Sequence, residues 1–243
     1  EGINKHLDTP EQKALDAALA DGKSVVDGTS TEDVTKVYAA LKAAIYNYRL
    51  SLTSPEEPLE LTSNMLSPGF EDNSKGWVCN GFSPQSNDAF ELKEGTYYCE
   101  IWSGWGNVAD GDIHQIVELP NGNYQLTVLA QNIQESNKAI PQKGAYVYAN
   151  NARKELSLTG KYTLDFVVVD NQAKIGVNTI GCTGNKVSID DFHIYYTGFD
   201  DDAQFAEFRQ MIQEGEALLE SPQHADSLAM LAKAVEEAKA VTK

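Results

Sequence analysis

The chain has 243 residues, of which 42% are hydrophobic and 23% charged, a composition that predicts a soluble globular protein with one large domain or two modest ones. Its formal net charge of −17 at pH 7 would repel phosphate backbones and anionic lipid, which argues against nucleic-acid binding and against binding to a membrane surface. No apolar run approaches the ~20 residues that a spanning helix needs, so we predict no membrane insertion.

The N-terminal residues 9–51 predict two helices. Thr9, Pro10 and Gln12 together form the pattern of a capping box with proline at the first helical position. A turn at residues 27–30 separates this helix from a second one, whose apolar side chains recur at helical spacing and are expected to form a core-facing stripe. The members of this stripe are Val34, Tyr38, Leu41, Ile45 and Tyr48.

The most strongly patterned stretch is residues 112–131, in which two strand-like runs flank the turn signal LPNG at 119–122. Proline, asparagine and glycine supply the restricted and left-handed backbone positions of a tight turn, so we predict an antiparallel hairpin here. Side chains alternate along a strand. The second run should therefore place Tyr124, Leu126, Val128 and Ala130 on a core face, and Gln125, Thr127 and Gln131 on the other.

Further strands are predicted at 89–92, 96–102, 144–148, 162–169, 172–178 and 186–196. Many short strands separated by turn signals are typical of a β-sandwich. In the last strand the apolar alternation changes phase at Asp190 and Asp191, which predicts a β-bulge that re-aims these carboxylates.

Residues 200–243 predict a second helical hairpin that repeats the first. Gly22 aligns with Gly215 and Leu41 with Leu231, a pattern that indicates an internal repeat. The predicted domains are therefore an N-terminal helical hairpin at 1–53, a sandwich at 54–199 and a C-terminal helical hairpin at 200–243. The two hairpins would either pack together beside the sandwich or each cover a neighbouring module of a longer protein.

Three cysteines, Cys79, Cys99 and Cys182, lie far apart in the sequence without zinc-site spacing. At most one disulfide can form among them, and buried free thiols are the simpler interpretation.

Enzyme motifs are missing from the local sequence. Glycoside hydrolysis needs two facing carboxylates, and Glu100, Asp110 and Asp112 lie near aromatic residues, but most acids of so acidic a chain are solvated. His114 and His193 are predicted to be structural, and no HExxH, GxSxG or P-loop pattern occurs. We therefore expect no catalytic activity.

Several motifs together resemble bacterial galactose-binding-like jelly-roll carbohydrate-binding modules. The opening motif is LSPGFE at 66–71 followed by Gly76-Trp77, although Pro68-Gly69 departs slightly from the usual form. The middle of such domains resembles YCEIW at 98–102, DIHQ at 112–115 and LPNGNY at 119–124, and their closing strand resembles VSIDDF at 187–192. The resemblance covers the β region and implies a jelly roll there. With the helices predicted on both sides, the fold class is α+β: a β-sandwich (jelly roll) flanked by N- and C-terminal helical hairpins.

The helical hairpins resemble the repeats found between modules of large secreted or surface glycan-processing proteins. This resemblance implies an exported bacterial parent protein, extracellular, at the cell surface or in the periplasm, whose partners are a glycan and other modules of the same polypeptide. The chain begins at Glu1 without methionine, which we interpret as a mature or excised fragment, so a missing signal peptide carries no information.

In the family that the chain resembles, a structural calcium ion often bridges the opening Glu and the first Asp of the closing strand. The matching residues here are Glu71 and Asp190, and hard oxygen ligands suit calcium. The alternative is that both acids simply lie at the edge of the sandwich.

Sugar binding needs an aromatic surface for the apolar face of a pyranose and polar groups for its hydroxyls. The WSGWGN segment at 102–107 fits, and the candidate ligand-binding residues are Trp102, Trp105, Asn107, Tyr98 and Asp110. Trp102 could instead pack at the rim. The predicted function is a non-catalytic carbohydrate-binding module, and the alternative is a structural or adhesive spacer that docks other domains or proteins and binds no sugar.

Overall fold

The computed structural model describes residues 9–219 and 225–241, with side chains described from 229 onwards in the second range. The chain divides into two compact units, Glu1–Leu59 and Glu60–Lys243. None of the helices in the described part of the chain combines the length and apolar character needed to cross a bilayer.

The first unit is a helical hairpin of α1 (Pro10–Val26) and α2 (Val34–Ser51). The Thr9 side chain accepts a hydrogen bond from the Gln12 N–H at 3.2 Å, and Pro10 occupies the first helical position, so the predicted cap is confirmed. Asp33 caps α2 by accepting from two backbone N–H groups of its first turn.

The predicted stripe on α2 is only partly right. Val37 is the buried residue of this helix, whereas Val34 and Tyr38 are 67% and 68% exposed. Leu41 does face α1, because a side-chain carbon added at Gly22 would stand 3.5 Å from it. Two helices alone cover a narrower face than the full apolar stripe, so part of the stripe stays in solvent.

The second unit contains a β-sandwich of two antiparallel sheets, which confirms the predicted fold class. The first sheet has the strand order β10-β7-β12-β5-β4 and the second has β3-β6-β11-β8-β9. The strands are β1 (Leu59–Glu60), β2 (Glu71–Ser74), β3 (Val78–Asn80), β4 (Ser83–Gln85), β5 (Tyr98–Trp102), β6 (Asp112–Glu118), β7 (Gly122–Ile133), β8 (Ala145–Ala149), β9 (Ala152–Leu156), β10 (Gly160–Val168), β11 (Gln172–Asn178) and β12 (Lys186–Gly198).

The predicted central hairpin is wrong in its pairing. β6 and β7 exist close to the predicted bounds, but β6 belongs to the second sheet and β7 to the first, so the turn between them crosses the sandwich. Long-range contacts hold that turn: Leu119 donates its N–H to Asn171 O at 3.0 Å, and Asn121 Oδ1 accepts from the Asn171 N–H at 2.8 Å. These contacts take the place of hairpin hydrogen bonds between β6 and β7.

Side-chain alternation is confirmed, whereas one predicted strand is not. Tyr124, Leu126 and Val128 of β7 are buried between the sheets. The apolar residues of β11, Ala173, Ile175 and Val177, are buried there as well. The predicted strand at 89–92 is a loop between β4 and β5. Phe90 in this loop packs on Tyr98 with ring centroids 5.6 Å apart, because the loop lies over the outer face of the first sheet.

The predicted bulge in β12 is confirmed. Asp190 pairs with Leu129 of β7, and the next paired residue of β12 is His193. Asp191 and Phe192 therefore form the bulge. Asp191 adopts a left-handed backbone (φ 51°) at this point. The bulge turns Phe192 into the core, where it contacts Trp77 with ring centroids 5.0 Å apart.

The C-terminal helices α3 (Asp201–Leu219) and α4 (Ala225–Val241) belong to the second unit. Gly215 of α3 faces α4, because an added side-chain carbon there would stand 2.8 Å from Val235 Cγ2. This packing parallels that of Gly22 in the first hairpin. The predicted break at Ser221-Pro222 lies outside the described residues, and the three-part domain division stays a prediction.

Candidate functional site

The loop that follows β5 presents two tryptophan side chains. Trp102 ends β5 and is 55% exposed, and Trp105 lies three residues further on and is 95% exposed. The Trp102 ring lies against Gly104, where an added side-chain carbon would be 3.3 Å from its Cη2 atom. Gly106 adopts φ 77°, so the loop turns sharply just after Trp105. The two indoles therefore lie on one short loop, with Trp105 projecting into solvent.

Glu135 fixes the orientation of the Trp102 indole. The Trp102 Nε1–H donates to Glu135 Oε2 at 2.8 Å, and Lys186 Nζ donates to Glu135 Oε1. The Glu135 N–H in turn donates to Asn185 Oδ1 at 2.8 Å. Hydrogen bonding from Lys186, and to a lesser extent from Trp102, lowers the pKa of Glu135 in spite of some burial. Glu135 is therefore held as a carboxylate beside the indole.

Lys186 extends this network into the buried part of the first sheet. Lys186 of β12 pairs with Trp102 of β5, so their side chains share the outer face of this sheet. The Lys186 Nζ lies 3.9 Å from Glu100 Oε2, and both side chains are buried. The Tyr98 hydroxyl and the Ser188 hydroxyl also donate to Glu100 Oε2, at 3.2 and 3.0 Å. Glu100 is thus a buried carboxylate satisfied by protein groups.

The other predicted ligand-binding residues take different positions. Asn107 is exposed in the tryptophan loop, and its Oδ1 accepts from Gln134 Nε2 at 3.2 Å. Asp110 is exposed at the far end of the loop and accepts from the Gly181 N–H at 3.0 Å. Tyr98 is fully buried under Phe90, and this placement removes it from the candidate set. The candidate site therefore consists of Trp102, Trp105 and the polar groups around them.

Three members of this site were missed from the sequence: Gln134, Glu135 and Lys186. Gln134 and Glu135 directly follow β7, and Lys186 begins β12. Glu135 and Lys186 therefore reach Trp102, and Gln134 reaches Asn107, only through the sheet register. The only signal that could have found them is the pairing of β5 and β7 with β12, which no local motif contains.

Glu71 and Asp190 bind neighbouring amides of one turn between β4 and β5. Glu71 Oε1 accepts from the N–H groups of Thr96 and Tyr97, both at 2.8 Å. Asp190 Oδ2 accepts from the Glu94 N–H at 2.8 Å. The structure therefore brings both predicted metal-ligating residues to the same turn.

Asp190 is a fully buried acid without a basic partner. Burial, together with the like charges of Asp191 and Glu71, raises its pKa to about 7 against the lowering effect of the Glu94 and Asp191 N–H groups. Within the described ranges, neither Asp190 nor Glu71 forms an ion pair with lysine, arginine or histidine. The same ranges hold no group of three or more His, Cys, Asp or Glu suited to a metal ion, so any ion here would need backbone oxygens as well.

Of the acids considered for a glycosidase, Glu100 and Asp112 do not face each other. Glu100 lies on the outer face of the first sheet, whereas Asp112 lies on the outer face of the second. Asp112 accepts hydrogen bonds from Tyr148 at 2.9 Å and Asn178 at 3.3 Å, and it pairs with His114 Nδ1 at 2.6 Å. Burial alone would raise the pKa of Asp112, but the hydrogen bonds from these three groups lower it.

His193 of β12 lies between two carboxylates, one of which, Glu60, is at the start of the second unit. Its Nδ1 is 2.8 Å from Glu60 Oε1, and its Nε2 is 3.0 Å from Asp191 Oδ1. Hydrogen bonding to His193 lowers the pKa of Glu60. This cluster ties the chain before the sandwich to β12, as expected of a structural histidine.

No protein-family model matches the chain, and no curated protein does. Solved structures similar to it include TmCBM61 in complex with β-1,4-galactotriose, at 19% identity over 55% of this chain and 97% of that chain, with a TM-score of 0.44. The K1 cleaved adhesin domain of Lys-gingipain from Porphyromonas gingivalis W83 is 18% identical over 55% of this chain and 98% of that chain, with a TM-score of 0.40. A cyclase from Fischerella sp. TAU is 12% identical over 59% of this chain and 99% of that chain, with a TM-score of 0.44. At these low identities and TM-scores the likenesses carry no functional argument.

Proposed function

We propose that this chain is a non-catalytic carbohydrate-binding module of a larger secreted or surface protein, and that Trp102 and Trp105 form its binding platform. The observation that carries the proposal is the exposure of Trp105, 95% of whose surface is open to solvent beside a half-exposed second indole. Neighbouring exposed apolar side chains that form one patch can mark a ligand-binding surface.

The polar groups around the indoles suit the hydroxyls of a sugar. The apolar face of a pyranose can stack on an indole, and neighbouring carboxylates and amides can accept from and donate to its hydroxyls. Glu135, which binds the Trp102 indole, and the Gln134–Asn107 pair supply such groups. A shallow surface of this kind leaves much of the ligand hydrated, so we expect a Kd of about 10 µM to 1 mM.

A glycan array tests this proposal. Wild type, Trp105→Ala and Ile116→Ala are compared on plant polysaccharides and on host mucin and glycosaminoglycan fragments. Ile116 is an exposed apolar residue on β6, in the other sheet, so its variant controls for loss of exposed apolar surface alone. We expect binding to one glycan class that Trp105→Ala reduces at least tenfold and Ile116→Ala leaves unchanged, because one stacked ring contributes about 1.5 kcal/mol or more once desolvated.

Two results would contradict the proposal. Binding that Trp105→Ala does not weaken would move the site away from this loop. Silence across the panel at high protein concentration would favour the spacer function instead.

The second candidate function, a spacer that docks other modules or proteins, is favoured by the exposed apolar residues of the first hairpin. Val26, Val34 and Tyr38 line a groove of about 330 Å³ between α1 and α2. Surface of this kind is often covered by a protein partner. Concentration-dependent self-association that Tyr38→Ser abolishes, in a protein that is silent on the array, would support the spacer.

The proposal also includes a structural calcium ion at Glu71 and Asp190. Support for this part of the proposal comes from Asp190, which is buried near the like charges of Asp191 and Glu71 and accepts from amide N–H groups; backbone oxygens would have to complete the site. When bound, calcium would supply the missing positive charge. The chain's own residues join β2 and β12 to the turn at 94–97 through the two carboxylates, so an ion there would stabilise the fold and take no part in sugar chemistry.

Calcium is expected to raise the melting temperature. At about a hundredfold excess over its Kd, a ligand adds about 2.7 kcal/mol to stability, which corresponds to a Tm about 5–10 °C higher than in EGTA. Thermal unfolding is followed for wild type, Asp190→Asn and Asp72→Asn, each in EGTA and in calcium. Asp72 is next to Glu71 but pairs with Lys75 in solvent, so its variant should keep the shift that Asp190→Asn loses. An identical wild-type Tm in both buffers would count against the ion.

A further inference from the structure

The two sheets come together at the edge where the chain passes from β3 to β4. β3 is the edge strand of the second sheet and β4 is the edge strand of the first, and only Gly81 and Phe82 separate them. β5 is the neighbour of β4 in the first sheet. Residues of β3 and β5 therefore lie close to each other at one edge of the sandwich although they belong to different sheets.

The strand register places Cys79 and Cys99 on the inner faces of these sheets. Cys79 of β3 pairs with Ile113, and Cys99 of β5 pairs with Ile189. Both isoleucines are fully buried between the sheets, and paired residues of antiparallel strands share a face. Both side chains therefore lie on the inward-facing sides of their sheets at this edge, with Cys79 at its exposed rim.

The two thiols lie near enough for Cys79 to influence the ionisation of Cys99. Burial first, and the neighbouring Cys79 second, raise the pKa of Cys99. Cys99 has no exposed surface, whereas Cys79 on the edge strand is exposed to solvent. One thiol of the pair is therefore open to an oxidant and the other is shielded.

Cys182 does not take part in this pair. It is buried in the loop after β11, where its Sγ donates to Asn132 Oδ1 at 3.3 Å and accepts from the Gly184 N–H at 3.3 Å. Cys182 therefore has hydrogen-bond partners of its own, and Cys79 and Cys99 remain as the two cysteines that could form a disulfide.

We propose that Cys79 and Cys99 are an oxidation site whose product is a disulfide that links the two sheets. The oxidant is a low-molecular-weight disulfide such as oxidised glutathione. The Cys79 thiolate attacks one sulfur of the oxidant, which breaks its S–S bond and releases one thiol. The Cys99 thiolate then attacks Cys79 Sγ and releases the second thiol, so the two cysteines lose two protons and two electrons and the oxidant becomes two thiols.

Burial of Cys99 predicts how the link forms. A shielded thiol with a raised pKa is seldom a thiolate, so the second step is slow in the folded protein. The link is expected to form faster during refolding, when Cys99 is still accessible. Because it connects two sheets and closes a loop in the chain, it is expected to raise the Tm by about 5–10 °C.

Thiol counting and peptide mapping on the full chain test this inference. The protein is refolded with oxidised glutathione, denatured, titrated for free thiols and then digested without reduction for mass spectrometry. Of the three cysteines, one should remain free in wild type, and a single linked peptide should join Cys79 to Cys99. Cys182→Ser should keep the link with no free thiol left. Cys79→Ser should keep its two remaining thiols free. Cys99→Ser should hold Cys79 as a glutathione mixed disulfide, because no thiol is left to resolve it, and both variants should lose the gain in Tm that the link provides.

Three outcomes would overturn the inference. Three free thiols after oxidation would exclude the link, and a linked peptide that contains Cys182 would assign it wrongly. A glutathione adduct on Cys79 with Cys99 still free would show that the two sulfurs do not meet. The wild-type measurement decides among these outcomes even if Cys99→Ser fails to fold, and none of them depends on sugar binding.

Discussion

Phe192→Ala is expected to lower the free energy of unfolding by about 3–5 kcal/mol, the usual cost of deleting a buried phenylalanine ring. Phe192 is fully buried and contacts two rings, Trp77 at 5.0 Å and Phe70 at 6.3 Å between centroids. Its N–H also donates to Pro68 O at 3.2 Å. The ring therefore joins the bulge of β12 to the segment that precedes β2, and its loss would leave a cavity among aromatic neighbours.

Urea unfolding followed by circular dichroism measures this effect. Phe199→Ala is the matched control, because Phe199 is an exposed phenylalanine shortly after the same strand and should cost less than about 0.5 kcal/mol. A loss below about 1 kcal/mol for Phe192→Ala would show that the bulge does not turn this ring into the core.

Lys186→Met is expected to cost about 3 kcal/mol of stability, because it leaves a buried carboxylate without its cation. The Lys186 ammonium lies 3.9 Å from Glu100 and also donates to Glu135. Removing one partner of a buried pair costs about 3–5 kcal/mol, and we take the lower value because the pair is long and two hydroxyls still donate to Glu100. The variant should also weaken glycan binding. Glu135 would lose its hydrogen bond from Lys186 and would orient the Trp102 indole less firmly.

A double-mutant cycle isolates this interaction. Glu100→Gln removes the buried charge, so Lys186→Met with Glu100→Gln should regain at least about 1 kcal/mol over Lys186→Met alone. Lys75→Met is the control, because Lys75 pairs with Asp72 in solvent and such pairs contribute little. Additive losses in the cycle would mean that Lys186 and Glu100 do not interact.

The local features of this fold were predictable from the sequence. The Thr9 cap, the alternation along β7 and the bulge at Asp190 and Asp191 each depend on neighbouring residues, and the structure confirms all three. The central hairpin was not predictable in this way. A turn with the LPNG pattern can lead the chain back along the same sheet or across to the opposite one, and Asn171, about fifty residues away, forms the contacts that hold the crossing.

The candidate site shows the same division between local and distant information. The tryptophan loop stands out because two indoles flank small residues, and both are exposed in the structure. Tyr98 looked equally suitable in the strand pattern, but the loop at 86–97 covers it. Lys186 and Glu135 reach Trp102 only after β12 has paired with β5 and β7, which local sequence does not specify.

The most direct test of the proposed site is an NMR titration of the three tryptophan indole N–H signals with the glycan class found on the array. Trp77 is an internal control, since it is buried and its Nε1–H donates to Ser67 O at 3.1 Å. Binding at the loop predicts that the Trp105 and Trp102 signals shift in a saturable manner with a common Kd while the Trp77 signal stays in place. Saturable binding that leaves the Trp102 and Trp105 signals unmoved would contradict the proposed site.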